Sequence, residues 1–360
     1  MWPGRRPPWR LCPTTCTVRP SAIWRTCSSI ATSEAISGRD TGTIVGVPDP
    51  DLSVILLSWN VRDLLRACLR SLPLGDPAVE IIVVDSASAD GTPDMVRAEF
   101  PPEQYPALSL IASAENLGYS RGNNLGLRAA RGRYLFILNP DTEVAADALA
   151  PMLTYMDAHP EVGVLGPGLV YADGAPQATR RRFPTLLTGF FESTWLQGWA
   201  PRGLLDRYYA RDLPPDEPVE VDWLVGAALL VRRAAYEQVG GLDEGFFMYS
   251  EELDWCRRMK AAGWRVVHFP AARVVHHEGR SSAQVPAATH IRFNTSKVRY
   301  FRKYHGALAA EVLRLFLLAG FAGQLALEAL KGLLGHKREL RVARVRAYWQ
   351  VLQSGLHGQR

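Results

Sequence analysis

The chain has 360 residues, 47% hydrophobic and 21% charged, with a formal net charge of +5 and a pI of about 9.0. This is an ordinary globular composition, long enough for one large domain or two smaller ones, and it excludes a chain too polar to bury a core. The mild positive charge suits ligand phosphates, an anionic membrane or nucleic acid, and does not choose among them. Five cysteines form no even framework, so a reducing compartment without disulfides is expected. Cys12 and Cys16 have no second ligand pair nearby and do not read as a zinc site.

Residues 1–48 are rich in Pro, Arg, Ser, Thr and Trp and have neither an apolar period nor the core of a secretory signal. A disordered segment or an over-extended gene start is expected there. From Leu52 the pattern alternates. Residues 53–58 (SVILLS), 80–86 (EIIVVDS), 108–113 (LSLIAS) and 133–141 (RYLFILNPD) are apolar runs of strand length. Residues 61–72, 90–100 and 120–132 carry helical spacing, with Leu64, Leu65, Cys68, Leu69 and Leu72 on one stripe of the first. Strands alternating with helices predict a parallel sheet of β-α-β units, and continuous apolar runs predict that both of its faces are covered.

Ligands of such sheets bind beyond the carboxyl ends of the strands. All four ends carry polar or acidic residues: Ser58-Trp59-Asn60, then Asp85 to Thr92, then Glu115 to Tyr119, then Asn139-Pro140-Asp141. Each taken singly also reads as an ordinary polar turn or helix cap, and Asp90 is the better cap for the second helix. Four in register point to a site.

The stretches SVILLSWN, EIIVVDSASADGT, ENLGYSRGNNLGL, YLFILNPDTEV and FFMYSEELDWCRRMKAAGWRVVHFPAARVVHHEGRSS, in this order, resemble glycosyltransferase family 2, in its bacterial rhamnosyltransferase-like branch. The likeness runs from about residue 52 to 300. It implies an α/β GT-A nucleotide-diphospho-sugar transferase fold, a Rossmann-like mixed sheet flanked by helices. It also implies inverting transfer from a nucleotide-diphospho-sugar, assisted by a divalent metal, Mn²⁺ or Mg²⁺. On this resemblance Asp85, Asn60 and Ser88 hold the nucleoside, and Gly118, Arg121 and Asn124 line the donor cleft. Gly118 and Gly122 would let the backbone pass close to the ligand, and the helix after them would offer free N–H groups to a diphosphate.

Asn139-Pro140-Asp141 stands where the family carries Asp-x-Asp; the first Asp is Asn here, which leaves Asp141 as the main metal carboxylate. His276, with His277 as its rival, is placed as the second metal ligand. Glu251 and Glu252 would lie in the first turn of a helix capped by Ser250, where the dipole favours an ionised carboxylate. Glu252 takes the family's catalytic-base position, and Asp254 and Arg258 orient the site or pair structurally. Trp223, Gly226 and Ala227 are expected on the acceptor side. Arg180, Arg181 and Arg182 form a basic run suited to a diphosphate, a lipid phosphate or solvent.

These readings divide the chain into residues 1–48, a GT-A catalytic domain over 49–305, and amphipathic, basic helices over 306–360. The uncharged run Leu315 to Leu327 is too short to span a bilayer. With the basic residues after it, the tail reads as an anchor on an anionic inner leaflet, or as a helix packed on the domain or on a second subunit of a homodimer. The expected partners are a dTDP- or UDP-sugar donor, rhamnose favoured, and a saccharide or lipid-linked acceptor of cell-surface polysaccharide synthesis at the cytoplasmic face of the plasma membrane. Nucleic acid is not expected, because no aromatic-basic interleaving marks the core. A nucleotide-sugar-binding relative without activity and a nucleotidyltransferase are the rival readings.

Overall fold

The computed structural model describes residues 49–278, 284–334 and 337–357, so the expectations for residues 1–48, including the cysteines there, lie outside the described residues. Asp49–Arg360 forms one compact unit. It opens with β1 (Leu52–Ser58), α1 (Arg62–Arg70), β2 (Val79–Ser86), α2 (Thr92–Glu99), β3 (Leu108–Ser113), α3 (Gly118–Ala129), β4 (Tyr134–Leu138), β5 (Thr142–Val144), α4 (Leu149–Ala158) and β6 (Val162–Val170). A more irregular stretch holds β7 (Arg180–Arg181), α5 (Leu186–Phe191), α6 (Leu204–Tyr208), β8 (Val219–Glu220), β9 (Trp223–Leu224), β10 (Ala228–Arg232) and α7 (Arg233–Val239). The chain ends with α8 (Glu251–Ala261), β11 (Arg265–His276), α9 (Pro286–His305), α10 (Ala307–Leu333) and α11 (Arg338–Ser354).

The main sheet runs β3-β2-β1-β4-β10-β6-β11-β5, with β8 beside β11. The first four strands in that order are parallel, as their alternation with helices predicts. The sheet as a whole is mixed, because β10 enters antiparallel between β4 and β6. β1, β2 and β4 are buried on both faces, whereas β3, at the edge, exposes part of both. The fourth predicted strand stops at Leu138, and Asn139 opens the turn into β5.

Register decides what meets what. Ser58 lies opposite Asp85, and Asp85 opposite Ala112, so the ends of the first three strands are level. Ala228 lies opposite Leu138, which brings the two residues before β10 beside the turn after β4. β11 pairs antiparallel with β5, His276 opposite Thr142, and this carries a histidine 135 positions along the chain to the side of Asp141.

Helix α3 lies close on the sheet. A Cβ at Gly122 would come within 2.3 Å of Leu57, and one at Gly126 within 2.4 Å of Ile55. Gly122 therefore serves helix–sheet packing, not the close approach to a ligand expected from the sequence. The C-terminal helices share the core: Ala310, Leu313, Leu317 and Phe321 of α10 cluster with Trp255, Phe301 and Val351. Buried Glu328 pairs with Arg341 and Arg344 of α11. The uncharged run is part of a 27-residue helix that is long and apolar enough, by length and composition, to cross a membrane. Its inner face nonetheless packs on the domain.

Gly126→Ala gains helix propensity of about 1 kcal/mol but forces a methyl into Ile55. A net loss of about 1–2 kcal/mol is expected in chemical denaturation; an unchanged or raised midpoint would contradict this close approach.

Candidate active site

At the carboxyl ends of β1 and β2 a small polar network closes on itself. Asp85 is buried; its Oδ2 accepts from the Ser88 N–H at 3.0 Å. Ser88 Oγ accepts from the Asn60 N–H at 2.9 Å, and Asn60 Oδ1 accepts from the Ala89 N–H at 2.7 Å. Asn60 and Ala87 both adopt the left-handed conformation, at φ 53° and 58°. Non-glycine residues are strained there, and such strain concentrates at functional sites. Asp85 Oδ1 is buried without a partner among the described residues. A buried acceptor in that state costs about 1–3 kcal/mol unless a ligand supplies the donor. Asp90 behaves as a cap, accepting from the N–H groups of Arg62 and Thr92.

The glycine-rich turn before α3 is held differently from expectation. Gly118 has φ 70°, and a Cβ there would sit 2.6 Å from the Phe247 carbonyl. The N–H groups of Leu117, Gly118 and Tyr119 bond to Ser86 Oγ, Asn116 Oδ1 and the Phe247 carbonyl. They are therefore not free for a diphosphate. Arg121 is exposed and pairs with Glu115 at 3.0 Å. Asn124 is buried and bonds in both directions to the Leu242 backbone, with a third bond to Glu244. It anchors the Gly240–Leu242 turn, which Arg258 and Trp255 also hold through the carbonyls of Val239, Gly241 and Gly240. That turn aims the segment leading into α8.

After β4, Asn139 bonds through its N–H to the Ala227 carbonyl at 2.9 Å, and its side chain stays uncommitted among the described residues. Asp141 is buried, and its Oδ1 lies 3.5 Å from His276 Nε2. Gln177 donates to the His276 carbonyl at 2.7 Å, which turns its amide oxygen to His276 Nδ1 at 3.0 Å. With Nδ1 donating, the lone pair of Nε2 faces Asp141. His277 is drawn off to Glu143 at 2.7 Å. Among the described residues no group of three or more His, Cys, Asp or Glu could hold a metal by itself. One carboxylate and one oriented imidazole fit a hard or borderline divalent ion that completes its shell with substrate oxygens and water.

Ser250 occupies the N-cap of α8, but at φ 66° its side chain accepts no capping bond. Glu251 and Glu252 fall in the first turn, both enclosed. Burial raises both carboxyls, Glu251 furthest because it also faces the Glu252 charge. Desolvation thus outweighs the helix terminus that was expected to favour ionisation. Glu252 is held lower by the N–H groups of Gly226 and Leu253 and by the charge of Arg181. Its Oε2 is buried and unpartnered among the described residues, as is Glu251 Oε2. Asp254 is wholly buried and fully engaged by Arg258 at 2.8 Å, Tyr304 at 2.7 Å and Lys303 at 2.6 Å. It ties α8 to α9 and offers no oxygen to a substrate.

Gly226 and Ala227 link these parts. Gly226 packs against Glu252, where a Cβ would sit 3.4 Å from that side chain, and accepts from the Tyr119 hydroxyl at 2.5 Å, while Ala227 accepts from Asn139. Trp223, buried on β9, donates to the Arg182 carbonyl at 3.0 Å. Sequence reasoning assigned no role to Gln177, Tyr119 or Phe247. Tyr119 and Phe247 lie inside quoted motifs, whereas Gln177 reaches His276 across 99 positions.

The family model "Glycosyl transferase family 2" matches residues 53–253. The chain is 32% identical over 249 residues to an N-acetylglucosaminyl-diphospho-decaprenol L-rhamnosyltransferase of Mycobacterium tuberculosis, covering 66% of this chain and 79% of that protein. It is 27% identical over 241 residues to the rhamnosyltransferase WbbL of Escherichia coli, covering 63% and 85%. Among solved structures it resembles a mannosyltransferase of Pyrobaculum calidifontis in complex with GDP-Man and Mn²⁺, at TM-score 0.50 and 22% identity, over 86% of this chain and 85% of that one. Sheet order, site and sequence agree: the chain belongs to glycosyltransferase family 2, an inverting family, and is a glycosyltransferase with the GT-A fold.

Proposed function

We propose that the protein transfers a sugar, L-rhamnose in first place, from a dTDP- or UDP-sugar to a hydroxyl of a saccharide carried on a lipid diphosphate. The observation that carries this reading is Glu252. Its Oε2 is buried and unpartnered among the described residues, and Gly226–Ala227 lies between Glu252 and the Asn139–Asp141 turn. Asp85 Oδ1, also buried without a partner among the described residues, would accept from the base or ribose. The named relatives support the sugar and the acceptor class.

In this reading Glu252 is the ionised member of its pair and Glu251 the protonated one. Backbone N–H groups favour charge on both carboxyls; Glu252 has in addition the cation Arg181, whereas Glu251 has the Glu252 charge against it. Glu252 Oε2 takes the proton of the acceptor hydroxyl as that oxygen attacks the anomeric carbon. The bond to the nucleoside diphosphate breaks on the opposite face, and the anomeric configuration inverts. Asp141 and His276 would hold Mn²⁺ or Mg²⁺, which neutralises charge on the leaving diphosphate. The outward face of α10, with Leu308, Leu315, Leu330 and Leu333 exposed, and exposed Lys337, Arg338 and Arg346 beyond it suit peripheral contact with an anionic inner leaflet.

The test is calorimetric titration with dTDP, UDP and GDP, each with and without Mn²⁺. One nucleotide binds tightly and only with metal. Asp141→Ala abolishes that binding, whereas Glu252→Gln keeps it and loses transfer by about 10²-fold or more. Metal-independent binding would remove Asp141 and His276 from their roles. No nucleotide binding at all would favour a relative without activity.

Glu251 supplies a second check. A carboxyl raised in the fold contributes its full stability below its unfolded pKa and loses it as the pH rises through the folded value. Glu251→Gln mimics the protonated state. It should melt about 2–4 °C above the native protein at pH 8, with the gap closing as the pH falls. A pH-independent difference would remove Glu251 as the protonated partner.

A further inference from the structure

The three consecutive arginines have different fates. Arg180 bonds to the carbonyls of Leu213 and Pro214. Arg182 forms a two-pronged pair with Asp212, both bonds 2.7 Å. Arg181 has no carboxylate partner among the described residues; one terminal nitrogen donates to the carbonyls of Ala178 and Arg180. Its guanidinium lies against the rings of Tyr209 at 4.5 Å, Trp223 at 5.7 Å and Tyr208 at 5.9 Å. Aromatic faces hold a guanidinium flat and partly dry without neutralising it, which leaves its remaining donors ready for a phosphate.

Its position is defined by the backbone. Arg181 pairs with Trp223 across β7 and β9, and β9 packs on α8, whose first turn holds Glu252. The group beside the base belongs to the acceptor, since the base takes the acceptor's proton. Five residues further on, the chain turns apolar and exposed: Leu186 and Leu187, then Trp195 and Trp199, with Trp199 71% exposed. Trp195 stacks on Phe316 of α10 and meets Trp199 edge-on. A cation followed by an apolar, tryptophan-bearing shelf matches an amphiphile with a phosphate head and a hydrocarbon chain.

We propose that Arg181 binds the phosphate of an acceptor whose sugar is joined through phosphate to a long apolar chain, and that Leu186, Leu187, Trp195 and Trp199 receive the start of that chain. The proposal rests on the glycosyltransferase reading above, but its test needs no sugar. Farnesyl diphosphate and farnesol are titrated into the full-length protein, native, Arg181→Gln and Arg181→Lys, with tryptophan fluorescence as readout. Native protein is expected to bind the diphosphate about 10- to 100-fold more tightly than the alcohol. Arg181→Gln removes that difference while leaving farnesol affinity unchanged, and Arg181→Lys restores part of it.

Equal affinity of the native protein for the two ligands, or no binding of either, overturns the proposal. Undiminished diphosphate binding in Arg181→Gln overturns it too. An equal loss for both ligands in that variant makes Arg181 a packing residue. Displacement of farnesyl diphosphate by dTDP or UDP would reassign it to the donor. Failure of the glycosyltransferase reading appears separately, as absent nucleotide binding in the calorimetric titration.

Discussion

The short peptide Gly226–Ala227 is the constraint on which the site depends. Its first residue packs against Glu252 and its second accepts from Asn139. The two sides of the candidate site come from distant parts of the chain. The Asn139–Asp141 turn follows β4, and Glu252 lies in the first turn of α8 more than 100 residues later. Because β10 runs antiparallel beside β4, the approach to β10 lies where β4 ends, and backbone bonds fix the spacing. Side-chain hydrogen bonds could drift by a rotamer; this link is main chain at one end of each contact. Gly226 itself tolerates little, since a Cβ would press on Tyr119 and Glu252 at 3.3–3.4 Å.

Around that link the protein buries carboxylates and controls which of them is charged. Burial raises the phenol of Tyr119 well above its usual range, and the charges of Glu251, Glu252 and Asp141 raise it further. Such crowding is costly unless hydrogen bonds or counter-charges are assigned selectively. They are. Asp254 receives three cationic or hydroxyl donors, backbone N–H groups favour charge on both Glu252 and Glu251, and Glu252 has the field of Arg181 besides. Like residues in one turn of helix thereby take unlike roles.

The C-terminal helices belong to the same core as the catalytic sheet, through Ala310, Leu313, Leu317 and Phe321. Their outward face remains apolar beside a basic one, so a single hairpin serves both packing and the surface on which the protein is proposed to work.

Much was legible in the sequence for a physical reason. Apolar runs bounded by turn residues report strands locally, and polar residues at the ends of buried strands mark a candidate ligand edge; Asp85, Asp141, Glu252 and His276 were named in this way or by likeness of motif, and the structure sets Asp141 beside His276. Tertiary structure decided what local pattern cannot encode. Asn124 and Asp254 look like site residues, yet long-range partners occupy them. Gly122 looks like a ligand turn, yet it seats a helix on Leu57. Gln177 carries no signal until register sets it against His276, and antiparallel β10 carries none of its direction in its own five residues. Burial reverses the effect of the helix terminus on Glu251 and Glu252, because desolvation depends on everything packed around a group and not on its neighbours in the chain.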